Sequence, residues 1–360
     1  MKAVQIMTDL EKLCSRVTEA ADCAVITDDV NRRYFTAMKS SAGTLVVFPE
    51  KAYFIIDFRY IEKAKKTVTA CEVILQDKLY EQINSLIEKH GAKTVSVNAD
   101  TCTLSELIAY QQKLNAEVIA DTKLAEIIRE IRTVKSQEQI DKIIKAQRIA
   151  EKGFAHMLDF IKVGRTEKEI QLELDYYMLK NGAEALSFDT IALSGSNTSL
   201  PHGVPSDKKV ESGEFVLMDF GATYDGWHSD MTRTVCVGKP SDKMKSVYET
   251  VLTAQLSALD AVKAGISGKA LYKIARDIIT EAGYGDNFGH SLGHGVGVEI
   301  HESPYASPSR EDILPKNSIV TVEPGIYLEG KFGVIIEDFV VVTENGCINM
   351  TKAPKELICL

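Results

Sequence analysis

The segment MDFGATYDGWHSDMTRTV, residues 218–235, has the composition of two paired strands but places two aspartates, Asp219 and Asp230, within them. Asp225-Gly226 is a strong signal for a two-residue hairpin loop. Pairing outward from that loop brings Asp219 and Asp230 onto one face of the ribbon as diagonal neighbours, with backbones roughly 7–8 Å apart. The segment therefore predicts a hairpin whose two carboxylates converge on a common point.

The same register places Asp219 opposite Thr232 and Asp230 opposite Gly221. We expect the glycine to leave room for a bound group beside Asp230. Carboxylates are costly to bury unless they are paired, so an arginine, a shared proton or a metal ion is expected at this point. The alternative is that one aspartate ends the hairpin and faces water.

Three further candidates for the same site follow downstream in apolar surroundings. Glu323 interrupts the strand-like run SIVTVEPGIYL, and Glu337 interrupts GVIIEDFVVV. His294 lies in GHSLGHGVGVEIHESP, where the glycines at positions 293, 295 and 297 are expected to allow close backbone approach to a bound group. Two aspartates, two glutamates and one histidine form a set rich in oxygen with a single nitrogen.

This residue set predicts a site for divalent metal ions. Carboxylates suit hard ions such as Mn²⁺ and Mg²⁺, and a histidine shifts the preference towards Mn, Co, Zn or Fe. Four carboxylates carry more negative charge than one divalent ion balances. Two ions about 3.5–4 Å apart would balance it.

Composition limits the class of protein. A chain of 360 residues is expected to form two domains, and 45% hydrophobic with 26% charged residues is typical of a globular protein. The net charge of −9 argues against a nucleic-acid partner, which favours a basic surface. The apolar runs are only strand-sized, so no membrane span is expected.

The cellular compartment is predicted from the cysteines and the N-terminus. The seven cysteines are odd in number and widely spaced, which favours reduced thiols in the cytoplasm. The segment MKAVQIMTDLEKLCSRV has scattered charges and no long apolar core, so we expect no signal peptide.

The first part of the chain alternates strand-like runs with helical stretches, which is typical of an α/β domain. A helix is predicted over 80–93, ending at Gly91. The strand-like runs are CAVIT (23–27), GTLVVF (43–48), AYFIIDFRY (52–60) and TVSVN (94–98).

The second part mixes long helices with runs of strands, which predicts an α+β domain. Ser136 and Thr166 each precede a Gln or Glu by three residues, a capping-box pattern that begins two helices. A long helical stretch is predicted across 241–282. We place the domain boundary near residue 130, which gives domains 1–130 and 131–360.

Five motifs resemble those of the Xaa-Pro peptidases of the pita-bread metallopeptidase fold, a group that includes aminopeptidase P and prolidase. NRRYFTAMKSSAGTLVVF and IIDFRYIEKA also resemble the creatinase-type N-terminal domain of that group. The resemblance thus spans nearly the whole chain and implies a pita-bread catalytic domain after a smaller α/β domain. The five motifs are LPHG (200–203), DFGATYDGWHSDMTRT (219–234), GHSLGHGVGVEIHESP (289–304), VTVEPGIY (320–327) and IIEDFV (335–340).

The resemblance implies a metal ligand at each of the five residues already selected. Asp219 resembles the bidentate ligand of one ion. Asp230 and Glu337 resemble carboxylates that bridge both ions. His294 and Glu323 resemble the remaining ligands of the other ion.

The resemblance also implies roles in the chemistry. Glu323 resembles a proton shuttle that takes the proton of the attacking water and passes it to the leaving nitrogen. His202 and His301 resemble residues that bind substrate and stabilise the oxyanion, and His290 resembles a substrate-side histidine. His228 matches no ligand position and is left out of the predicted site.

The implied activity is hydrolysis of the Xaa-Pro bond at the N-terminus of peptides by a hydroxide bridging two divalent ions. Manganese is the expected metal, with cobalt or zinc as alternatives. The expected partners are peptides with proline at the second position and a second copy of the chain in a homodimer.

Two positions depart from the family pattern. Many prolidases have an arginine that holds the substrate carboxylate where this chain has Tyr305, and family members often have an arginine where this chain has Ile335. The first departure favours an Xaa-Pro aminopeptidase over the alternative, an Xaa-Pro dipeptidase. The non-enzyme alternative is a catalytically silent peptide-binding relative, against which the five intact ligand positions argue.

Overall fold

The computed structural model describes residues 7–360, and the chain divides into two compact units. The first unit ends at Arg132 and the second is Thr133–Leu360. Residues 1–6, where the segment assessed for a signal peptide begins, lie outside the described residues. No helix within residues 7–360 is long and apolar enough to cross a membrane. All seven cysteines are free thiols.

The first unit is a six-stranded sheet between helices. The helices are α1 (Asp9–Arg16), α2 (Asp29–Thr36), α3 (Ile61–Thr67), α4 (Leu79–His90), α5 (Leu104–Lys113) and α6 (Lys123–Thr133). The strands are β1 (Cys23–Ile26), β2 (Thr44–Val47), β3 (Ala52–Ile56), β4 (Glu72–Leu75), β5 (Thr94–Val97) and β6 (Glu117–Ile119). Their order in the sheet is β4-β3-β2-β1-β5-β6.

Both faces of this sheet are buried, which explains why its central strands have continuous apolar runs. Alternate residues of β1 to β3 pack against α1, α2, α3 and α6 on one face, and against α4 and α5 on the other. The predicted strands are confirmed, except that AYFIIDFRY is extended only to Ile56. The Asp57 side chain accepts a hydrogen bond from the Arg59 amide there, which favours a turn.

The second unit contains four long helices and thirteen strands. The helices are α7 (Gln137–Phe160), α8 (Glu167–Lys180), α9 (Asp242–Ala261) and α10 (Gly268–Glu281). The strands are β7 (Ala185–Leu186), β8 (Ile191–Ser194), β9 (Glu214–Phe220), β10 (Ala222–Tyr224), β11 (Trp227–His228), β12 (Met231–Val237), β13 (Gly293–Gly295), β14 (Glu302–Ala306), β15 (Ile319–Val322), β16 (Gly325–Leu328), β17 (Phe332–Ile335), β18 (Asp338–Val342) and β19 (Cys347–Asn349).

The predicted capping boxes at Ser136 and Thr166 are confirmed, since both begin helices with reciprocal side-chain bonds. The single helical stretch predicted over 241–282 is wrong, because α9 and α10 are separate helices. Gly265 has a φ of +86° in the connection between them. Ser267 then caps α10 by accepting a hydrogen bond from the Ala270 amide.

Two helix pairs each cover one face of a group of strands. Helices α7 and α8 pack on β9 and β12, and α9 and α10 pack on β15 and β18. Side chains alternate along a strand, so the residues between those core positions point to the opposite face. Asp219 and Asp230 lie on that opposite face of one strand pair, and Glu323 and Glu337 lie on it in the other.

Candidate metal centre

The first two carboxylates lie on the hairpin that the sequence predicted. Asp225 and Gly226 both have positive φ, at +49° and +81°, which two-residue hairpin loops of this type require. Strands β9 and β12 are antiparallel, with Thr232 opposite Asp219. The predicted register is therefore confirmed.

The predicted use of Gly221 as space for a bound group is wrong. A Cβ atom at this position would lie 1.9 Å from the Ser229 carbonyl oxygen and 2.9 Å from the Ser187 side chain. The glycine is needed because the protein's own backbone approaches closely at this point.

Glu323 and Glu337 lie on a second antiparallel ribbon, in breaks between its strands rather than within them. Val322 pairs with Asp338 on one side of the breaks, and Gly325 pairs with Ile335 on the other. The two glutamates therefore lie at the same level of the ribbon. Proline follows Glu323 and has no N–H to give to a ladder, which explains the interruption on that side.

His294 is the central residue of β13, where glycines allow close packing of the protein on itself. A Cβ at Gly293 would lie 2.0 Å from the Thr321 carbonyl oxygen, and one at Gly297 would lie 2.1 Å from a Glu302 carboxylate oxygen. The expectation that these glycines make room for a bound group is therefore wrong. Gly293 instead brings the His294 backbone against the ribbon that carries Glu323, where the His294 amide donates to the Thr321 hydroxyl at 3.0 Å.

The five predicted ligand side chains converge on one cavity of about 480 Å³. Ligand atoms of Asp230, His294 and Glu337 all lie within 4.8 Å of one another. The His294 Nε2 atom lies 3.6 Å from Asp230 Oδ2 and 3.3 Å from Glu323 Oε1. Asp219 lines the same cavity.

Two buried carboxylate oxygens at this site accept no hydrogen bond from any residue within 7–360. They are Asp219 Oδ1 and Glu337 Oε1. Glu337 is 2% exposed and Asp230 is 4% exposed, so water does not solvate these groups freely. Buried polar atoms are rarely left unpaired, and oxygen-rich donor sets bind divalent cations. The residues therefore fit the predicted metal ions.

Burial and mutual repulsion shift the carboxylate pKa values upward. The pKa of Asp219 is raised to about 7, first by burial and then by the charge of Glu323. The pKa values of Asp230 and Glu337 lie well above the usual range, again by burial first and then by neighbouring carboxylates. A cation at this point would replace the protons that these groups otherwise hold.

His294 and Glu323 instead stabilise each other as an ion pair. Burial acts to lower the pKa of His294, but the Glu323 carboxylate outweighs it and raises that pKa to about 9. Burial likewise acts to raise the pKa of Glu323, but the hydrogen bond and charge of His294 outweigh it and lower that pKa.

Metal-stripped protein should lose stability as the pH rises from about 4 to about 9, the range between the unfolded and folded pKa values of Asp219 and His294. The pKa of Asp219 is raised from 3.8 to about 7 on folding, so between these two pH values the folded chain keeps a proton that the unfolded chain has released, and stability falls. His294, raised from 6.5 to about 9, adds a fall of the same sign at higher pH. Urea unfolding across this range measures the effect, and the slope below pH 7 should be smaller in Asp219→Asn. A stability that rises with pH in the stripped protein would contradict these assignments.

Two threonines orient the glutamates, and sequence reasoning did not select them. The Thr232 hydroxyl donates to Glu337 Oε2 at 2.7 Å, and the Thr321 hydroxyl donates to Glu323 Oε1 at 2.8 Å. For Thr232 the sequence does contain a signal, because the predicted hairpin register places it on the same face as Asp230. Hydrogen bonds of this kind fix the orientation of metal-binding carboxylates.

Ile335 lines the cavity at the position where the family often has an arginine. A different arginine, Arg233, is buried next to the site. Its Nη1 group donates to the Glu337 carbonyl oxygen at 2.5 Å, and its Nη2 group pairs with Asp338 at 2.7 Å. Arg233 therefore fixes the backbone that carries Glu337.

The three predicted substrate-side histidines also line the cavity. The centres of the His301 and His294 rings lie 4.4 Å apart. The pKa of His301 is lowered, first by burial and then by the charge of His294. His202 lies on an exposed turn. His228 does not line the cavity; its Nδ1 atom lies 3.3 Å from the Thr223 hydroxyl.

Both ring nitrogens of His290 have partners within the protein. Nδ1 lies 2.7 Å from the Ser291 carbonyl oxygen, which requires a proton on Nδ1. Nε2 is then the acceptor for the Tyr327 hydroxyl at 2.8 Å when the ring is neutral. Tyr327 lines the cavity and was not selected from the sequence.

Comparisons with known proteins cover the whole architecture. Residues 141–344 match the model of metallopeptidase family M24, and residues 10–134 match the creatinase/prolidase N-terminal domain. The chain is 38% identical to an Xaa-Pro dipeptidase of Pyrococcus furiosus over 97% of this chain and 99% of that protein.

Solved structures give the same result. An Xaa-Pro dipeptidase from Bacillus anthracis superposes with a TM-score of 0.94 at 41% identity, covering 98% of this chain and 99% of that one. An X-Pro aminopeptidase from Thermotoga maritima superposes with a TM-score of 0.89 at 38% identity, covering 94% and 98%.

Proposed function

The chain belongs to metallopeptidase family M24, with a creatinase/prolidase N-terminal domain, and we propose that it is a metal-dependent Xaa-Pro dipeptidase. The observation that carries the proposal is the convergence of four carboxylates and His294 on one cavity, with two buried carboxylate oxygens unpaired. The resemblance to the Xaa-Pro peptidases and their pita-bread, two-domain fold class is confirmed by the family matches and the solved structures. The sequence alone favoured an aminopeptidase, but relatives named Xaa-Pro dipeptidase support the dipeptidase alternative better.

Asp219, Asp230, His294, Glu323 and Glu337 would hold two divalent ions, with manganese as our proposed metal and cobalt or zinc as alternatives. The ions, when bound, would supply a water of lowered pKa and polarise the scissile carbonyl. The chain's own residues would orient the substrate and move protons around that centre.

Glu323 is ionised, because His294 lowers its pKa against the effect of burial, and a carboxylate at this position can accept a proton. His301 has a lowered pKa and is therefore neutral near pH 7. We assign His301 and His202 to hydrogen bonds with the carbonyl oxygen as it gains charge. His290 would contact the substrate by shape only, because its two ring nitrogens already bond to the Ser291 carbonyl oxygen and the Tyr327 hydroxyl.

Part of the cavity lining is apolar, and this supports a proline-containing substrate. A peptide bond to proline has no N–H, so a site that receives the ring by shape needs no donor or acceptor there. The apolar residues that line the cavity are Phe188, Ile191, Pro201, Ile300 and Ile335.

An Xaa-Pro aminopeptidase acting on longer peptides remains the second candidate, and Tyr305 favours it. Tyr305 lines the cavity where many prolidases have an arginine for the dipeptide carboxylate.

Another arginine lies close to this position, since the Arg310 guanidinium is 4.3 Å from the centre of the Tyr305 ring. Its Nε donates to Asp312 at 3.3 Å, and its Nη groups bond to no described residue. We assign Arg310 as the cation that receives the dipeptide carboxylate.

Arg310→Ala should raise the KM for Ala-Pro by about 10-fold or more, because a hydrogen bond to a charged group contributes roughly 1.5–3 kcal/mol. The KM for Ala-Pro-Ala-Ala should change much less, since its proline carbonyl carries no charge. Steady-state kinetics on both peptides measure the difference. Lys316→Ala removes a surface cation that pairs with Glu344 at 3.5 Å and does not line the cavity, and it serves as the matched control. Equal changes for both peptides would contradict a carboxylate clamp at Arg310.

Product release from Ala-Pro, Ala-Pro-Ala-Ala and Ala-Ala tests the proposed function. We expect hydrolysis mainly of Ala-Pro, and none of Ala-Ala. Hydrolysis of the tetrapeptide alone would favour the aminopeptidase. Peptide binding without hydrolysis, with metal bound, would favour the silent peptide-binding relative.

The proposal includes a homodimer in the cytoplasm, both implied by the family resemblance. Sedimentation velocity and cell fractionation test these two points independently of activity.

A further inference from the structure

Glu167, the first residue of α8, is a carboxylate with 0% exposure that the proposed chemistry does not use. A buried carboxylate is costly unless hydrogen bonds satisfy it. The partners that satisfy Glu167 identify what it does.

Glu167 accepts six hydrogen bonds, all from neutral donors. Oε1 accepts from the Ser194 amide at 2.7 Å, from the Ser194 hydroxyl at 3.2 Å and from the Asn197 side-chain amide at 3.0 Å. Oε2 accepts from the Ser206 amide at 3.0 Å, from the Ser206 hydroxyl at 2.6 Å and from Asn197 at 3.2 Å. Oε1 thus holds only the segment before residue 200, whereas Oε2 holds the segment after it and also accepts from Asn197.

The loop between these two segments, residues 195–205, carries His202. Its base is fixed, since the Thr198 hydroxyl also accepts from the Gly333 amide at 2.8 Å. Its tip is exposed, with Leu200 and Val204 facing solvent, and short turn bonds hold it. The position of His202 at the cavity therefore depends on how firmly the base of the loop is closed.

We propose that Glu167 is a positioning residue that closes the base of the 195–205 loop and thereby holds His202 at the cavity, an inference that rests on the proposed function. A carboxylate suits this task because both of its oxygens accept only. A glutamine would turn its NH₂ group towards the amide of either Ser194 or Ser206. A backbone N–H group can only donate, so the amide that faces the NH₂ group would lose its hydrogen bond. One side of the loop would then no longer be held at its base.

A double-mutant cycle with Glu167→Gln and His202→Ala tests this inference. Glu167→Gln should lower kcat/KM for Ala-Pro by about 10-fold or more in the wild-type background, because misplaced catalytic groups cost up to about 100-fold. In the His202→Ala background it should change kcat/KM by less than about 2-fold, since residues that act as a unit are not additive. Metal content should stay unchanged, because no atom of Glu167 lines the cavity.

Glu211→Gln provides the matched control, as Glu211 is an exposed glutamate in the same unit. Ser206→Ala provides a milder variant should Glu167→Gln fold poorly. It removes the 2.6 Å bond to Glu167 and the 3.2 Å bond that the Ser206 hydroxyl accepts from the Lys208 amide, and it should show the same non-additivity at smaller size. An equal loss in both backgrounds, or no loss in either, overturns the inference.

Amide hydrogen exchange separates this inference from the proposed function. Glu167→Gln should speed exchange within 195–206 and leave the carboxylate strands unchanged, whatever the enzyme hydrolyses. Unchanged exchange in the loop overturns the inference even in an active peptidase. Faster loop exchange without Xaa-Pro hydrolysis in the wild type would refute the proposed function alone.

Discussion

Asp230→Asn should lower Xaa-Pro hydrolysis by about 10³-fold or more, since bound metal contributes several kcal/mol to the transition state and each 1.4 kcal/mol is tenfold. Asp230 is buried, and its carboxylate lies within 4.8 Å of the ligand atoms of His294 and Glu337. Asparagine keeps the shape but removes the charge that balances the cations. Metal analysis of the purified variant should show a corresponding loss of bound metal.

The same substitution should not destabilise the metal-stripped protein. Burial and the nearby Asp219 raise the pKa of Asp230, so ionising this carboxylate in the folded protein costs free energy. Removing that charge relieves repulsion, and the free energy of unfolding at pH 8 should equal or exceed that of the stripped wild type. Asp189→Asn, at an exposed carboxylate that also lines the cavity, is the matched control and should retain metal. An Asp230→Asn protein with full metal content and full activity would remove Asp230 from the metal site.

Glu323→Gln should lower kcat by about 10²–10⁴-fold, the usual contribution of a general acid–base group. Glutamine retains an oxygen for a metal ion but cannot accept the proton of the attacking water. We therefore expect activity to stay low after excess metal restores the bound-metal content. Pre-steady-state and steady-state rates with Ala-Pro, normalised to bound metal, measure this effect.

Thr321→Val separates proton transfer from orientation. It removes the 2.8 Å hydrogen bond to Glu323 but leaves the carboxylate, so its effect should be about 10-fold to 100-fold, as for other partners of metal ligands. If metal-loaded Glu323→Gln recovers wild-type activity, Glu323 acts only as a ligand and the proton transfer belongs to another group.

The sequence predicted the first ribbon accurately because local signals determine it. A two-residue turn fixes the register of a hairpin, and strand alternation then fixes the face of each aspartate. The capping boxes at Ser136 and Thr166 were equally predictable, since each depends on residues three apart.

Features that depend on distant contacts were not predictable from one sequence. The sequence pattern suggests room for a ligand at the glycines at positions 221, 293 and 297, whereas the Ser229 and Thr321 carbonyl oxygens and the Glu302 side chain fill those spaces. Glu167 was passed over because its six hydrogen bonds come from residues far along the chain. Arg233 and Tyr327 likewise look ordinary until the strands that hold them are brought together.

The broken ribbon around Glu323 and Glu337 shows the same limit. Each glutamate was expected to interrupt a strand-like run, and this much is confirmed. That the two breaks lie side by side follows only from the pairing of β15 with β18 and of β16 with β17, which no local pattern encodes.

Titration of metal-stripped protein with Mn²⁺, following both bound metal and Ala-Pro hydrolysis, tests the central claim most directly. We predict no hydrolysis without metal and a rise in activity that stops at two bound ions per chain. Full hydrolysis by the stripped protein, or two bound ions with no hydrolysis of Ala-Pro or a longer Xaa-Pro peptide, would contradict it.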